Sequence, residues 1–281
     1  MVPSLPKSAK DIKLDQYNLY LFVGPADGGK SFAATSFGYM SADQIPPPGM
    51  VQGTDPRPMY VMELDGRLAA LRGRPVVYDA FTNVEGAAGV LNRLVSIRDI
   101  CVQRNKAPFH TILIDSFTSF NDFAISDSLE VSDNNNAGRK RGDLSLMTVQ
   151  DYGYEAEAVR KLLWENLVDL KRYCNVIVTA HEMEYYKPVK VKEGEPTRSE
   201  LAGYKILARD KISAKLPTKF DEIYHFLPKE VIISQKKIRR RIVFQDQLAR
   251  TSFPELAKST EEYDISGQEF YYFWAKKIGR I

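Results

Sequence analysis

The run Gly24-Pro25-Ala26-Asp27-Gly28-Gly29-Lys30-Ser31 concentrates the residue types needed to hold a chain of phosphates. It satisfies the spacing G-x-x-x-x-G-K-[ST]. Glycines let a backbone wrap a polyanion with several N–H groups turned inward. A helix starting at Lys30 adds the positive partial charge of its N-terminus. The Lys30 ammonium suits the outer phosphates, the Ser31 hydroxyl suits a Mg²⁺ ion, and Phe32 follows as the next residue of the cradle.

Three acidic positions extend this chemistry. Thr111-Ile112-Leu113-Ile114-Asp115 is an apolar run ending in a carboxylate. Set as a strand beside the one that enters the glycine loop, it brings Asp115 to the Mg²⁺ ion through water. Without the loop, Asp115 would read as an ordinary strand-end cap. Met59-Tyr60-Val61-Met62-Glu63-Leu64-Asp65 supplies two more carboxylates, which share a face if the strand runs that far. Glu63 or Asp65 could orient an attacking water as general base; each taken singly also fits a solvated strand end. The cofactor set these residues predict is ATP with Mg²⁺.

The elements that must position them follow from hydrophobic pattern. Leu19–Val23, Met59–Glu63, Thr111–Asp115 and Asn175–Ala180 read as buried strands, and Lys30–Met40 as a helix. Val159, Leu162, Leu163, Leu167 and Leu170 recur at three and four, one face of an amphipathic helix. Glu155 and Glu157 stand near its start and Lys171 and Arg172 at its end, as the macrodipole favours. Strands alternating with helices imply an α/β fold with a mostly parallel central sheet flanked by helices. Ile223–Phe226, Val231–Ser234 and Arg241–Phe244 read as short antiparallel strands near the C-terminus. Ile45–Pro58, Ser132–Gly142 and Tyr186–Gly203 read as loops by composition. Residues 1–16 read as an N-terminal extension, 17–250 as the main domain, and 251–281 as a tail whose terminal helix carries Phe270, Phe273 and Trp274.

Composition excludes several classes. The 281 residues are 44% hydrophobic and 27% charged, enough apolar surface to offset the entropy of ordering. Two cysteines, Cys101 and Cys174, exclude a disulfide scaffold and a zinc finger, and three histidines argue against a histidine-rich metal site. The N-terminal residues lack the apolar centre of a secretory signal, and no apolar run approaches bilayer length. The expectation is a cytoplasmic protein without membrane association.

Together the loop, the Asp115 strand and the acidic residue after the Met59–Glu63 strand resemble the RecA-like P-loop ATPases. The loop opens Gly24-Pro25, and Asp115 is followed by Ser116, both RecA habits. The resemblance implies an ATPase that hydrolyses slowly. The family's catalytic glutamate falls by spacing on Asp65 rather than Glu63, and Asp is a departure. His181 lies where the family places an amide that senses the γ-phosphate; it also fits a satisfied strand-end histidine. Within that group the chain is similar to the phage single-strand annealing ATPases of the Sak type, on the strand ending Thr179-Ala180-His181-Glu182, the segment Lys215-Leu216-Pro217-Thr218-Lys219-Phe220-Asp221-Glu222, and the compact length. This implies single-stranded DNA as partner, head-to-tail self-association, a single-strand-binding protein as a further partner, and the host cytoplasm if the chain is phage-encoded.

Two segments after core strands carry the charge such a partner needs. Asn121–Gly153 is acidic early and then contains Arg139, Lys140 and Arg141. Lys187–Lys219 holds nine basic residues, Lys187, Lys190 and Lys192 first among them, against four acidic ones. Tyr185 and Tyr186 precede it and could stack on bases. The alternative is a solvated charged loop. Lys236 to Arg241 forms a third basic run, a charged turn or a source of a cation in trans. The rival functions are a phage DNA-processing or packaging ATPase, a nucleotide-gated oligomeric adaptor for a protein partner and, more weakly supported, a small-molecule kinase.

Overall fold

The computed structural model describes residues 17–135, 149–189, 198–228, 240–246, 248–257, 262–265 and 267–281. The chain enters through β1 (Leu19–Gly24) and α1 (Lys30–Thr35), which tightens into a 3₁₀ turn over Ser36–Met40. Next come β2 (Met59–Glu63), β3 (Val76–Ala80), α2 (Gly86–Arg104), β4 (Thr111–Asp115) and α3 (Phe117–Asn135). The amphipathic helix follows as α4 (Val149–Arg160), a π-helical stretch (Lys161–Leu167) and α5 (Val168–Leu170). Then come β5 (Asn175–Val189), β6 (Arg198–Ile206), α6 (Asp210–Lys215), β7 (Glu222–Pro228), β8 (Arg240–Val243), α7 (Pro254–Ala257), β9 (Tyr263–Asp264) and α8 (Phe270–Lys277).

The main sheet runs β3-β2-β4-β5-β1-β7-β8-β9, with β6 paired to β5 off this path. All pairs from β3 across to β7 are parallel, and β8 and β9 are antiparallel. This is the predicted α/β arrangement, a mostly parallel central sheet flanked by helices. Its strands are apolar on both faces because helices cover both. Along β1, Leu19, Leu21 and Val23 face the core under α2, α3 and α4, while Tyr20 and Phe22 face the core under α1 and α8.

Four expectations are corrected. First, the Thr111–Asp115 strand is not beside β1: β5 lies between them, pairing with both. Second, Ile223–Phe226 falls in β7, which runs parallel to β1, because α6 and the 3₁₀ turn after it return the chain to the sheet's starting end. Third, Lys30–Met40 is not one α-helix. The Thr35 hydroxyl donates to Ser31 O at 2.8 Å and Ser36 Oγ to Ala33 O at 2.5 Å, local bonds that compete with a regular helix. Fourth, the segment from Tyr186 is not a loop. β5 continues past His181 to Val189 and pairs antiparallel with β6, from Glu182 opposite Ile206 to Val189 opposite Arg198. Likewise Ser132–Asn135 belongs to α3. Val231–Ser234 lies outside the described residues.

The second core depends on the terminal helix. Phe270 and Trp274 are fully buried among Tyr20, Phe22, Phe37 and Tyr224. The Trp274 indole donates to Tyr224 OH at 2.8 Å, which in turn bonds Glu222 Oε2 at 3.1 Å. Arg74 completes the tie. Its guanidinium makes two bonds to Glu269, at 2.9 and 2.7 Å, one to Thr35 Oγ1 at 2.9 Å and one to Phe32 O at 3.1 Å. The start of α8 is therefore bolted to the helix that opens at Lys30. Among the described residues no helix is long and apolar enough to cross a membrane.

Trp274→Ala removes the largest fully buried side chain and leaves Tyr224 OH without its donor. We expect a loss of about 3–5 kcal/mol in unfolding free energy, read as a lowered urea midpoint.

Candidate nucleotide site at the carboxyl end of the sheet

The loop between β1 and α1 has the shape its glycines permit. Gly29 sits at φ +84° and caps α1 in the left-handed region. A Cβ on Gly24 would collide with Phe226 O, so the loop leaves the sheet pressed against β7. Lys30 is only 3% exposed. Its ammonium donates to Gly24 O at 2.9 Å and Pro25 O at 2.6 Å, and lies 3.3 Å from His181 Nδ1. Burial lowers its pKa to about 8, against the pull of Asp115 and Asp65.

Around this ammonium opens a cavity of about 240 Å³ lined by Ala26, Asp27, Gly29, Lys30, Ser31, Phe32, Asp65, Arg67, Ala70, Asp115 and His181. The residues singled out from sequence thus converge, although β4 lies one strand further from β1 than expected. Asp115 stands across from Thr179, whose hydroxyl donates to Asp115 Oδ1 at 2.5 Å. Burial pushes the Asp115 carboxyl upward, while hydrogen bonds from Thr179 and Ser31 oppose it. Asp115 and Ser31 are therefore within reach of one another, an oxygen pair of the hardness Mg²⁺ prefers.

Asp65 and Glu63 separate clearly. Asp65 faces the cavity and accepts from Ser116 Oγ at 2.7 Å and Ser119 Oγ at 2.6 Å; His181 Nε2 lies 3.4 Å from its other oxygen. Burial works upward on this carboxyl, but the bonds from His181, Ser119 and Ser116 hold it down to about 2. Glu63 does not line the cavity and is 1% exposed. One of its oxygens accepts the Arg67 N–H at 2.7 Å, which shapes the turn after β2, and the other has no partner. Burial raises its pKa. His181 stands between Asp65 and Lys30, a carboxylate–imidazole–ammonium row. Its backbone N–H donates to Thr118 Oγ1 at 3.0 Å.

A family model described as an AAA domain, AAA_24, matches residues 17–247. This chain belongs to the AAA domain family. No curated protein matches it. Among solved structures it is similar to one described as an ATPase domain, at 8% identity and a TM-score of 0.42, over 90% of this chain and 81% of that one.

In this AAA domain the residues around the cavity fit a nucleoside triphosphate with Mg²⁺: a glycine cradle, a buried ammonium at its base, and the Ser31–Asp115 oxygen pair. Several residues of the site were not singled out from sequence. Ser116 was noted only as a neighbour of Asp115, yet with Ser119 it holds Asp65. Thr179 and Thr118 anchor Asp115 and His181. Arg67 stands on the rim, 3.5 Å from Asp27. Only Thr179 carried a signal, since alternation along β5 places it on the same face of the sheet as Ile177. Of the basic residues proposed for nucleic acid, Lys187 is exposed on β5, while Arg139, Lys140, Arg141, Lys190 and Lys192 lie outside the described residues.

Directly after His181, Glu182 enters a second buried group. Its Oε2 is 2.5 Å from His225 Nε2, and Asp246 Oδ2 is 2.7 Å from His225 Nδ1. The His225 imidazole is 2% exposed and also meets the Tyr204 ring edge-on. Burial opposes its charge, but the two carboxylates outweigh it and raise the pKa to about 9. This ion triple joins β5, β7 and the turn after β8 where β5 leaves the core.

Two outcomes follow. Lys30→Ala should weaken Mg·ATP binding at least about tenfold in calorimetry, since a hydrogen bond to a charged group contributes roughly 1.5–3 kcal/mol. His225 binds its proton more firmly folded, at about 9, than at its ordinary 6.5. Its stabilisation is complete below that ordinary value and is lost as pH rises through 9. In His225→Gln, unfolding free energy should drop at pH 6 and the difference from the parent should shrink toward pH 10.

Proposed function

We propose that this AAA domain binds and slowly hydrolyses ATP with Mg²⁺ and uses the cycle to act on single-stranded DNA, in annealing or recombination, as a head-to-tail oligomer. The observation that supports it best is the path of β5. One strand carries His181 at the nucleotide cavity, with Thr179 bonded to Asp115 beneath it, and then runs on, paired with β6, as a ribbon beyond the sheet. On that ribbon Lys205 Nζ lies 3.8 Å and Lys187 Nζ 5.9 Å from the Tyr185 ring centroid, and Tyr186 is exposed. Cations beside aromatic faces suit a phosphate backbone with unpaired bases. The resemblance to the Sak-type annealing ATPases supports the same reading.

Within the site, Lys30 and the glycine cradle hold the phosphates. Ser31 and Asp115 would hold Mg²⁺, whose charge would offset that of the phosphates. Asp65 orients the attacking water. A carboxylate held near 2 is a weak proton acceptor, which fits positioning rather than strong base catalysis and hence slow turnover. His181 is placed to exchange its contact with Lys30 for one with the terminal phosphate, so that nucleotide state reaches the first residues of the ribbon.

The test is ATP turnover by the full chain with Mg²⁺, alone and with single-stranded or duplex DNA. We expect stimulation by single strands, none in Lys30→Ala, and a drop of roughly 10²-fold in Asp65→Asn. Stimulation by duplex alone would favour the processing or packaging motor, and no stimulation by either DNA would favour the protein-partnered adaptor.

A further inference from the structure

On the α4 face of the sheet, far in sequence from the glycine loop, α4 and α6 leave a groove of about 410 Å³. Its floor is Val159, Leu163, Ile212 and Leu216. One wall is the π-helical stretch Lys161–Leu167, which turns Trp164 outward to 37% exposure. π-helical turns inside α-helices are rare and are frequently found at functional sites. Large exposed aromatics beside an apolar floor are typical anchors of protein interfaces.

The charge around the groove is one-sided. On the α4 rim Arg160 is neutralised by Glu157 at 2.7 Å and Glu165 at 2.6 Å. On the α6 rim Lys211 and Lys215 have no ion-pair partner among the described residues. We propose that this groove docks an amphipathic segment of a partner protein, apolar on one face and flanked by Asp and Glu that meet Lys211 and Lys215. Helix-in-groove recognition uses such a floor for affinity and such a rim for orientation. A nucleic acid fits poorly, because the floor is aliphatic: Val159, Leu163, Ile212 and Leu216. The chain's own residues 1–16 fit poorly too, since Lys7, Lys10 and Lys13 outnumber Asp11 and Asp15 and would repel the rim.

The protein carries its own reporter. Of its two tryptophans, Trp274 is fully buried, so a change in emission on binding at the surface reports Trp164. The probe is a synthetic helical peptide with leucines on one face and glutamates flanking them; the control replaces each glutamate by lysine. We expect a saturable emission change with the glutamate peptide at a Kd of ~10 μM, and binding at least about tenfold weaker with the lysine peptide. Lys211→Glu with Lys215→Glu, both exposed positions, should invert that preference and leave ATP turnover unchanged. Equal binding of the two peptides, no saturable change with either, or displacement of the glutamate peptide by a single-stranded oligonucleotide would overturn the proposal. The readout does not depend on DNA stimulation of turnover, so it stands or falls separately from the proposed function.

Discussion

A lysine ammonium held almost out of solvent, between Gly24 O, Pro25 O and His181, is the constraint around which this fold is arranged. A buried cation must be met by oxygen and counter-charge. The counter-charge here is Asp115 and Asp65, delivered by β4 and the turn after β2. Delivering both to one point requires adjacent parallel strands ending at the same edge. β2 and β4 satisfy this, with Glu63 opposite Asp115 in register. The strand between β4 and β1 is then obliged to carry groups that can sit beside charge, and Thr179 and His181 meet that need.

The same strand continues beyond the cavity as an exposed ribbon. β1 stops at Gly24, opposite His181, and the parallel ladder on that side stops with it. Unpaired backbone beyond that point would be costly, and β6 supplies the partner from Glu182 onward. The buried His225, clamped between Glu182 and Asp246, fastens the junction. The ribbon therefore begins one residue after the imidazole that lies 3.3 Å from the Lys30 ammonium.

The other face is held by aromatic packing instead of charge. Trp274, Phe270 and Tyr224 fill the space under α1, and Arg74 links Glu269 to Phe32 and Thr35. Residues remote in sequence from the glycine loop thus set the angle at which α1 leaves it.

The glycine loop and the central strands were legible in the amino-acid order because their determinants are local. Gly24 to Ser31 names its own backbone geometry, and five-residue apolar runs ending in Asp or His have few other fates. The stripe Val159 to Leu170 was equally plain, since a helix face is a short-range pattern. Which strands lie side by side, and in which direction, is set by how helices and turns cross the sheet. That is why β5 entering between β1 and β4, and β7 running parallel, emerged only in three dimensions. The ribbon read as a loop because polar, exposed strands carry no hydrophobic signal; only cross-strand hydrogen bonds define them. Choosing Asp65 over Glu63 as the carboxylate facing the cavity also needed the tertiary structure. Glu63 ends β2 and Asp65 lies two residues on, and what separates them is their partners: Ser116, Ser119 and His181, remote in sequence, converge on Asp65, while the nearby Arg67 N–H takes Glu63. The order of residues alone marked Gly24 to Ser31 as a loop of phosphate-cradle type; the packed sheet decided which groups stand around Lys30, because burial and register bring together side chains that the chain itself keeps far apart.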